Sequence, residues 1–456
     1  MTLHTSRVPL FYGFVALGSM LGAGLVHAQT VALESESVSE SESESVSESE
    51  SESVRPPPAP TTAAIPPIPA APEDSIHLSV GPGRGLTVTA GESFSLQIRA
   101  RAQIRDTLHI PNTADATRNT PSNELQIRTI RLWLLGNIID RNLRYGLQLG
   151  LGPTDFEPNN PSPIFDAYIE SLHLRDLSVR VGQFFVPFDR ARTIREFALQ
   201  STDRALMVRE LSLDRDIGVM LFSNDLFGWD GRLAYNVGVF AGDGRNRLGV
   251  TQQPGFLFVG RVTLRPMGPF DDDLEGDLTH SSSPHLAIGF GVAYNQSTDR
   301  PRSTTSVSST YQFYQLGGFD YFHMAADLVF KYAGFSFLGE WLWRSASADS
   351  RTGMPAGATM PITEYSRQGW GALGQAGMML GDLVEIWGRY EHMQTMAGTD
   401  PMFVAALQSG GNATAAGVNL YVNGHFFKLQ LDWQHSFGND FTIGEQLVRL
   451  QLDATF

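Results

Sequence analysis

Between Phe94 and Arg105 the chain alternates without a slip. Phe94, Leu96, Ile98, Ala100, Ala102 and Ile104 fall on one side of an extended strand, and Ser95, Gln97, Arg99, Arg101, Gln103 and Arg105 fall on the other. Such a period of two specifies a β-strand whose faces meet different surroundings. Arginine set against lipid near a bilayer midplane costs roughly 2 to 4 kcal/mol per side chain, so in a membrane barrel these guanidinium groups face the lumen. The strand then delivers a column of positive charge to whatever the barrel encloses.

The pattern recurs. Leu286, Ile288, Phe290, Val292 and Tyr294 oppose Ala287, Gly289, Gly291 and Ala293; Phe427, Leu429, Leu431 and Trp433 oppose Lys428, Gln430, Asp432 and Gln434. Arg261, Thr263 and Arg265 oppose Val262 and Leu264. Over Leu125 to Ile138 the apolar phase slips near Thr129-Ile130, which predicts a bulge and leaves open which of Arg128 and Arg131 points inward. The last strand alternates Val448, Leu450, Leu452, Ala454 and Phe456 with Arg449, Gln451, Asp453 and Thr455, and the chain stops on the aromatic.

Short connections near Arg141, Arg175-Asp176, Ala333-Gly334, Gly381-Asp382 and Gly424 alternate with long ones, Phe270 to Pro284 being an unexpectedly long exception. Short-long alternation predicts an all-β fold, a transmembrane antiparallel up-and-down barrel of about 16 strands over residues 81–456. On that count Val186 to Asp214 is the third external loop, long enough to fold into a wet lumen. No apolar run after the N-terminus reaches the roughly 18 residues of a spanning helix.

His4 and Arg7 precede an apolar run from Val8 to Leu25 and then Val26-His27-Ala28, which reads as a signal peptide over residues 1–28. Residues 29–80 alternate Ser with Glu and then turn Pro- and Ala-rich, a composition that cannot bury enough apolar surface to order itself. We read them as a periplasmic tether, with cell-wall contact as one role, and the GPGRG run at Gly81 to Gly85 as a hinge. The net charge is −15, of which residues 1–80 carry −8, and nothing in its placement points to nucleic acid. With no cysteine, thiol chemistry and thiolate metal sites are excluded. No nucleophile-elbow spacing, phosphate-cradling loop or metal-ligand spacing occurs, so neither an enzyme nor a cofactor is expected. Asp271-Asp272-Asp273 reads as a solvated turn.

The central block Leu177 to Asn246 carries a resemblance. Gly182-Gln183-Phe184, Pro187-Phe188, Asp203-Arg204, the run Arg215 to Val219 and GVFAGDG from Gly238 to Gly244 resemble the phosphate-selective porin O/P family of Gram-negative outer membranes. The resemblance implies an arginine ladder in a homotrimeric anion channel. A terminal aromatic such as Phe456 likewise resembles the signal read by the barrel assembly machinery.

Transport is therefore the expected function, with selectivity set by pore width and lining charge. The residues form two groups: wall arginines Arg99, Arg101, Arg105, Arg261 and Arg265, and constriction-loop arginines Arg190, Arg192, Arg195, Arg204, Arg209 and Arg215. Guanidinium groups stay charged and pair bidentately with phosphate-like oxyanions. The chain departs from the family in having only Lys331 and Lys428, which weakens the case for tight phosphate selectivity. Asp166, Glu170, Asp216, Glu340 and Glu391 are candidates to offset the arginines. A weakly selective or cation-preferring porin, and a structural barrel tethered to the cell wall, are the alternatives.

Overall fold

In a computed structural model of the chain, residues 75–113, 117, 119–153, 155–156, 162–247, 255–303 and 313–456 are described. The predicted signal peptide and the tether up to residue 74 lie outside them. The strands are β1 (Ile76–Gly81), β2 (Gly85–Ala90), β3 (Phe94–Asn112), β4 (Ser122–Ile138), β5 (Leu143–Gly150), β6 (Ile164–Ser171), β7 (Ser178–Phe185), β8 (Arg215–Ser223), β9 (Leu233–Phe240) and β10 (Leu257–Leu264). They continue as β11 (His285–Thr298), β12 (Phe319–Tyr332), β13 (Phe335–Ala346), β14 (Ser350–Gly353), β15 (Ile362–Tyr365), β16 (Gly369–Leu380), β17 (Val384–Thr395), β18 (Asn412–His425), β19 (Phe427–Phe437) and β20 (Gly444–Thr455).

Each strand from β3 onward pairs antiparallel with the next, except that β13 pairs with β16 and the external hairpin β14–β15 stands apart. The sheet closes when β20 pairs with β3, from Gly444 opposite Asn112 to Thr455 opposite Arg101. Sixteen strands thus form a closed barrel with no free edge in its wall. The long connections leave one rim and the short ones the other, except that the long connection after β10 leaves the rim of the short turns. Among the described residues no helix is long and apolar enough to cross a membrane.

Alternation decides what faces where. Ile104, Val262, Phe290, Val418, Leu431 and Leu450 are exposed on the outside, while Arg101, Arg105, Lys428, Asp432, Arg449 and Asp453 are buried within. Ala333 and Gly334, both at positive φ (51° and 85°), make the two-residue turn from β12 to β13, the backbone that a tight hairpin requires.

Three local features refine the sequence reading. The predicted bulge falls at Arg128, where pairing jumps from Gln103–Thr129 to Ile104–Ile127, and it lets Arg128 as well as Arg131 reach the lumen. Residues 76–80 are a strand rather than tether, and GPGRG is the turn of a hairpin, with Arg84 N donating to the Gly81 carbonyl. Strand β2 pairs with Phe94 to Ile98, the part of β3 that runs past the end of β20.

Candidate permeation path through the lumen

The connection from Val186 to Asp214 folds into the barrel. It contains α1 (Arg190–Thr193), whose N-cap Asp189 accepts from Arg192 N at 3.0 Å, and α2 (Leu206–Leu211). Its apolar residues Phe188, Ala191, Ile194, Met207, Val208 and Leu211 are nearly inaccessible to water and pack with Ala287, Ala293, Ala325, Val329, Leu338 and Leu342 of the wall. The lumen therefore holds a dry core along one side. The wall makes room for it with small inward residues: a Cβ on Gly371 would sit 2.8 Å from Met207 Cβ, and one on Gly291 would collide with the Phe188 carbonyl.

Polar anchors tie the loop to walls on several sides. Arg190 donates from Nε to Asp327 at 2.6 Å and from Nη1 to Asp272 at 2.9 Å. Ala191 N donates to Glu340 at 2.8 Å, and Met207 N to Glu391 at 3.0 Å. Across the lumen, Thr202 N donates to Asp432 at 2.9 Å and Lys428 Nζ to the Leu199 carbonyl at 2.7 Å. Asp203 stands among Arg105 (2.7 Å), Arg449 (3.3 Å) and Arg128 (3.6 Å). Burial works to raise the Asp203 carboxyl, but the three guanidinium groups outweigh it and hold it far below the usual carboxylate range. Glu196 is held low in the same way by Arg131, Arg204, Arg101 and Arg128 against its burial.

A second segment folds in from the rim of the short turns. It is the long connection after β10; Asp271 and Asp273 stay exposed in a turn as the sequence suggested, but Asp272 does not. Asp272 is buried between Arg190 and Arg265, and Glu275 accepts from Gln200 N at 2.6 Å and from Gln375 at 2.7 Å. Glu275 N in turn donates to the Ala198 carbonyl at 3.2 Å, so the two inward segments meet. Lys331 donates to the Asp271 carbonyl at 2.8 Å. Both lysines of the chain thus hold inward segments in place.

The predicted arginines divide by environment. Arg101 grips Asp453 with Nε at 2.7 Å and Nη2 at 2.5 Å, and Arg105 binds Asp203 and Gln451. Arg261 bridges Asp327 and the Phe188 carbonyl, and Arg265 pairs with Asp272. Arg192 pairs with Asp214 at 2.5 Å, and Arg204 donates to the carbonyls of Ala191, Arg192 and Ile194. Arg215 is the first residue of β8 rather than part of the loop, and pairs with Asp166 at 2.6 Å. Arg99 is half-buried over the Phe426 ring, and Arg209 is exposed on α2. Arg195 keeps a side chain 41% exposed and, among the described residues, has long contacts to Asp166 (3.8 Å) and Gln148 (3.5 Å).

Between the loop and the wall of β3 to β6 lies a small cavity of about 40 Å³. Arg101, Arg131, Arg192, Arg195, Arg204 and Arg215 line it together with one carboxylate, Glu196, and the rings of Trp133, Phe165, Phe185 and Phe197. Arg131 and the aromatics belong to this cavity yet were not among the predicted site residues; the inward phase of Arg131 and Trp133 becomes readable once the bulge is placed. Of the candidate offsetting acids, Asp166 and Glu170 pair with Arg215 and Arg180, whereas Asp216 accepts from Gly242 N at 2.8 Å. His323 and His425 face the lumen; His435 lies stacked between Trp433 and Phe437.

No protein-family model matches the chain, and no curated protein matches its sequence. Among solved structures, the outer membrane channel DcaP of Acinetobacter baumannii is 12% identical, over 80% of this chain and 98% of that one, with a TM-score of 0.47. OmpF of Salmonella typhi, in complex with daunomycin, is 10% identical over 79% of this chain and 98% of its own, with a TM-score of 0.48. OmpT of Vibrio cholerae, an outer membrane protein in trimer form, is 8% identical over 80% and 100%, with a TM-score of 0.44. These likenesses are of architecture, and no solute or selectivity is carried over from them.

Proposed function

We propose that the chain is an outer-membrane diffusion channel that favours small anions, constricted by the loop from Val186 to Asp214. The observation that carries this reading is the lining of the cavity beside the loop, where six arginines face one carboxylate. Arg101, Arg131, Arg192, Arg204 and Arg215 pair with Asp453, Asp155, Asp214, Glu196 and Asp166, so the positive charge left over is that of Arg195, which in a water-filled constriction favours anions over cations. A trimer in the outer membrane, with Phe456 as the signal for barrel assembly, accords with this reading, and the tether before Ile76 is then periplasmic. The test is the reversal potential of the purified protein in planar bilayers under a KCl gradient. Chloride preference is expected; potassium preference overturns the anion claim, and absence of conductance overturns the channel.

A weakly selective channel is the second reading. It is favoured by the ion pairs in which Arg101, Arg105, Arg190, Arg215, Arg261 and Arg265 are engaged, since a paired guanidinium contributes little field at a distance. A reversal potential near zero selects it.

A further inference from the structure

Asp203 covers a pair of buried cations. Its side chain is 37% exposed, while those of Arg105 and Arg449 beneath it are 5% and 3% exposed. Arg105 Nη1 and Arg449 Nη1 converge on its Oδ2, at 2.7 and 3.3 Å, and Arg128 Nη2 faces its Oδ1 at 3.6 Å. Three guanidinium groups thus address both oxygens of one carboxylate, an arrangement that a planar two-oxygen anion satisfies and a spherical halide does not.

The arginines are seated independently of Asp203. Arg105 also donates from Nε to Gln451 at 2.9 Å and from Nη2 to the Thr202 carbonyl at 2.6 Å. Arg449 also donates from Nε to Asp432 at 2.7 Å and from Nη2 to Gln434 at 3.1 Å. The backbone of the loop at this point has holds of its own as well. Thr202 N and Oγ1 both donate to Asp432 at 2.9 Å, and the Asp203 carbonyl accepts from Ser201 Oγ at 2.6 Å and from Arg389 Nη1 at 3.1 Å. The Asp203 carboxylate can therefore leave by turning its side chain towards water, with the arginines and the backbone kept in place.

We propose that Arg105, Arg128 and Arg449 form a binding seat for small carboxylates, which Asp203 fills as a tethered competitor and which a carboxylate from solution takes over when Asp203 swings out. The space is that of the side chain already in it, so the anions that fit are formate and acetate. The proposal rests on the anion-channel reading and deepens it by naming a class of anion and where it pauses, and its test reads binding separately from conduction. A competitor carried on the loop lowers the apparent affinity of the native chain by the fraction of time that the seat stands vacant.

Formate and acetate are titrated calorimetrically into the full chain in detergent, each replacing chloride at constant ionic strength. Asp203→Ala leaves the outline of a formate in the seat, and Asp203→Gly that of an acetate. Formate should bind Asp203→Ala, and acetate Asp203→Gly, roughly tenfold or more tightly than either binds the native chain. Glu196→Gln is the control for charge alone: Glu196 lies beside Arg204 and Arg131, at 3.6 and 3.8 Å, so the change removes one negative charge from the same lumen and leaves Asp203 in its seat. Its affinity for formate should stay within about twofold of the native value. Should Asp203→Ala fail to assemble, Asp203→Gly with acetate reads the same effect. No gain in either Asp203 variant, or an equal gain in Glu196→Gln, overturns the proposal. If the gain is found and no current flows, the channel reading fails and the seat stands. If an anion-selective current flows without the gain, the seat fails and the channel stands.

Discussion

The carbonyl oxygen of Phe188 lies against the bare Cα of Gly291, where a Cβ would overlap it, and the same oxygen accepts a hydrogen bond from Arg261 at 3.0 Å. A wall glycine thus seats the first residues of the inward loop. Gly291→Ala should push that segment off β11, with an overpacking cost of about 1 to 3 kcal/mol. The expected readouts are a larger single-channel conductance and faster proteolysis within residues 186–214, with the barrel still resistant to unfolding in detergent.

The pair Arg101–Asp453 links β3 to β20 and is almost wholly sequestered from water. Removing one partner strands a buried charge, so Arg101→Met should cost about 3 to 5 kcal/mol. The double variant Arg101→Met, Asp453→Leu should recover most of that loss. Denaturation midpoints of the two single variants and the double variant measure the coupling.

Asp203 gives a pH prediction whose sign follows from its lowered pKa. Its carboxylate contributes to holding the loop at every pH above the ordinary aspartate value of about 3.9, and the contribution is lost only as pH falls through the depressed value. This contribution therefore persists from pH 7 down to about 4 and gives way in stronger acid. Asp203→Asn should mimic the acid state at neutral pH, removing one ion-pair partner from Arg105 and Arg128 and raising conductance noise in bilayer recordings.

Arg195 is the most weakly paired guanidinium of the cavity lining. Arg195→Glu should therefore move the reversal potential under a KCl gradient towards potassium. Arg190→Gln, at a buried anchor far into the ion-pair network, should change loop stability more than selectivity.

Much of the barrel was legible because its two faces meet different solvents, so the alternation at Phe94 to Arg105 and at Val448 to Phe456 carried direct information about orientation. The bulge was legible for the same reason, as a break in phase at Thr129. The hairpin at Ile76 to Ala90 was hidden by the Pro-rich stretch before it and by the glycines of its turn, although Ile76, Leu78 and Val80 do alternate with His77 and Ser79. The inward fold of Asp271 to Asp277 was not legible, because several of the groups that anchor it, Arg190, Gln200 and Lys331, come from distant parts of the chain. The dry core was not read from the sequence, although the small inward residues Ala287, Gly291 and Ala293 of β11 make room for it.

The seam between β3 and β20 joins groups 352 positions apart in Arg101 and Asp453. Native contacts of such long range make folding slow, since the chain entropy of bringing the ends together is lost before the contact is gained. No ring exists until the last dozen or so residues have emerged, and until then two unmatched edges invite pairing with any other strand nearby. Maturation of this protein should therefore depend on a helper that shields those edges, and truncation at the C-terminus should yield an aggregate rather than a leaky pore.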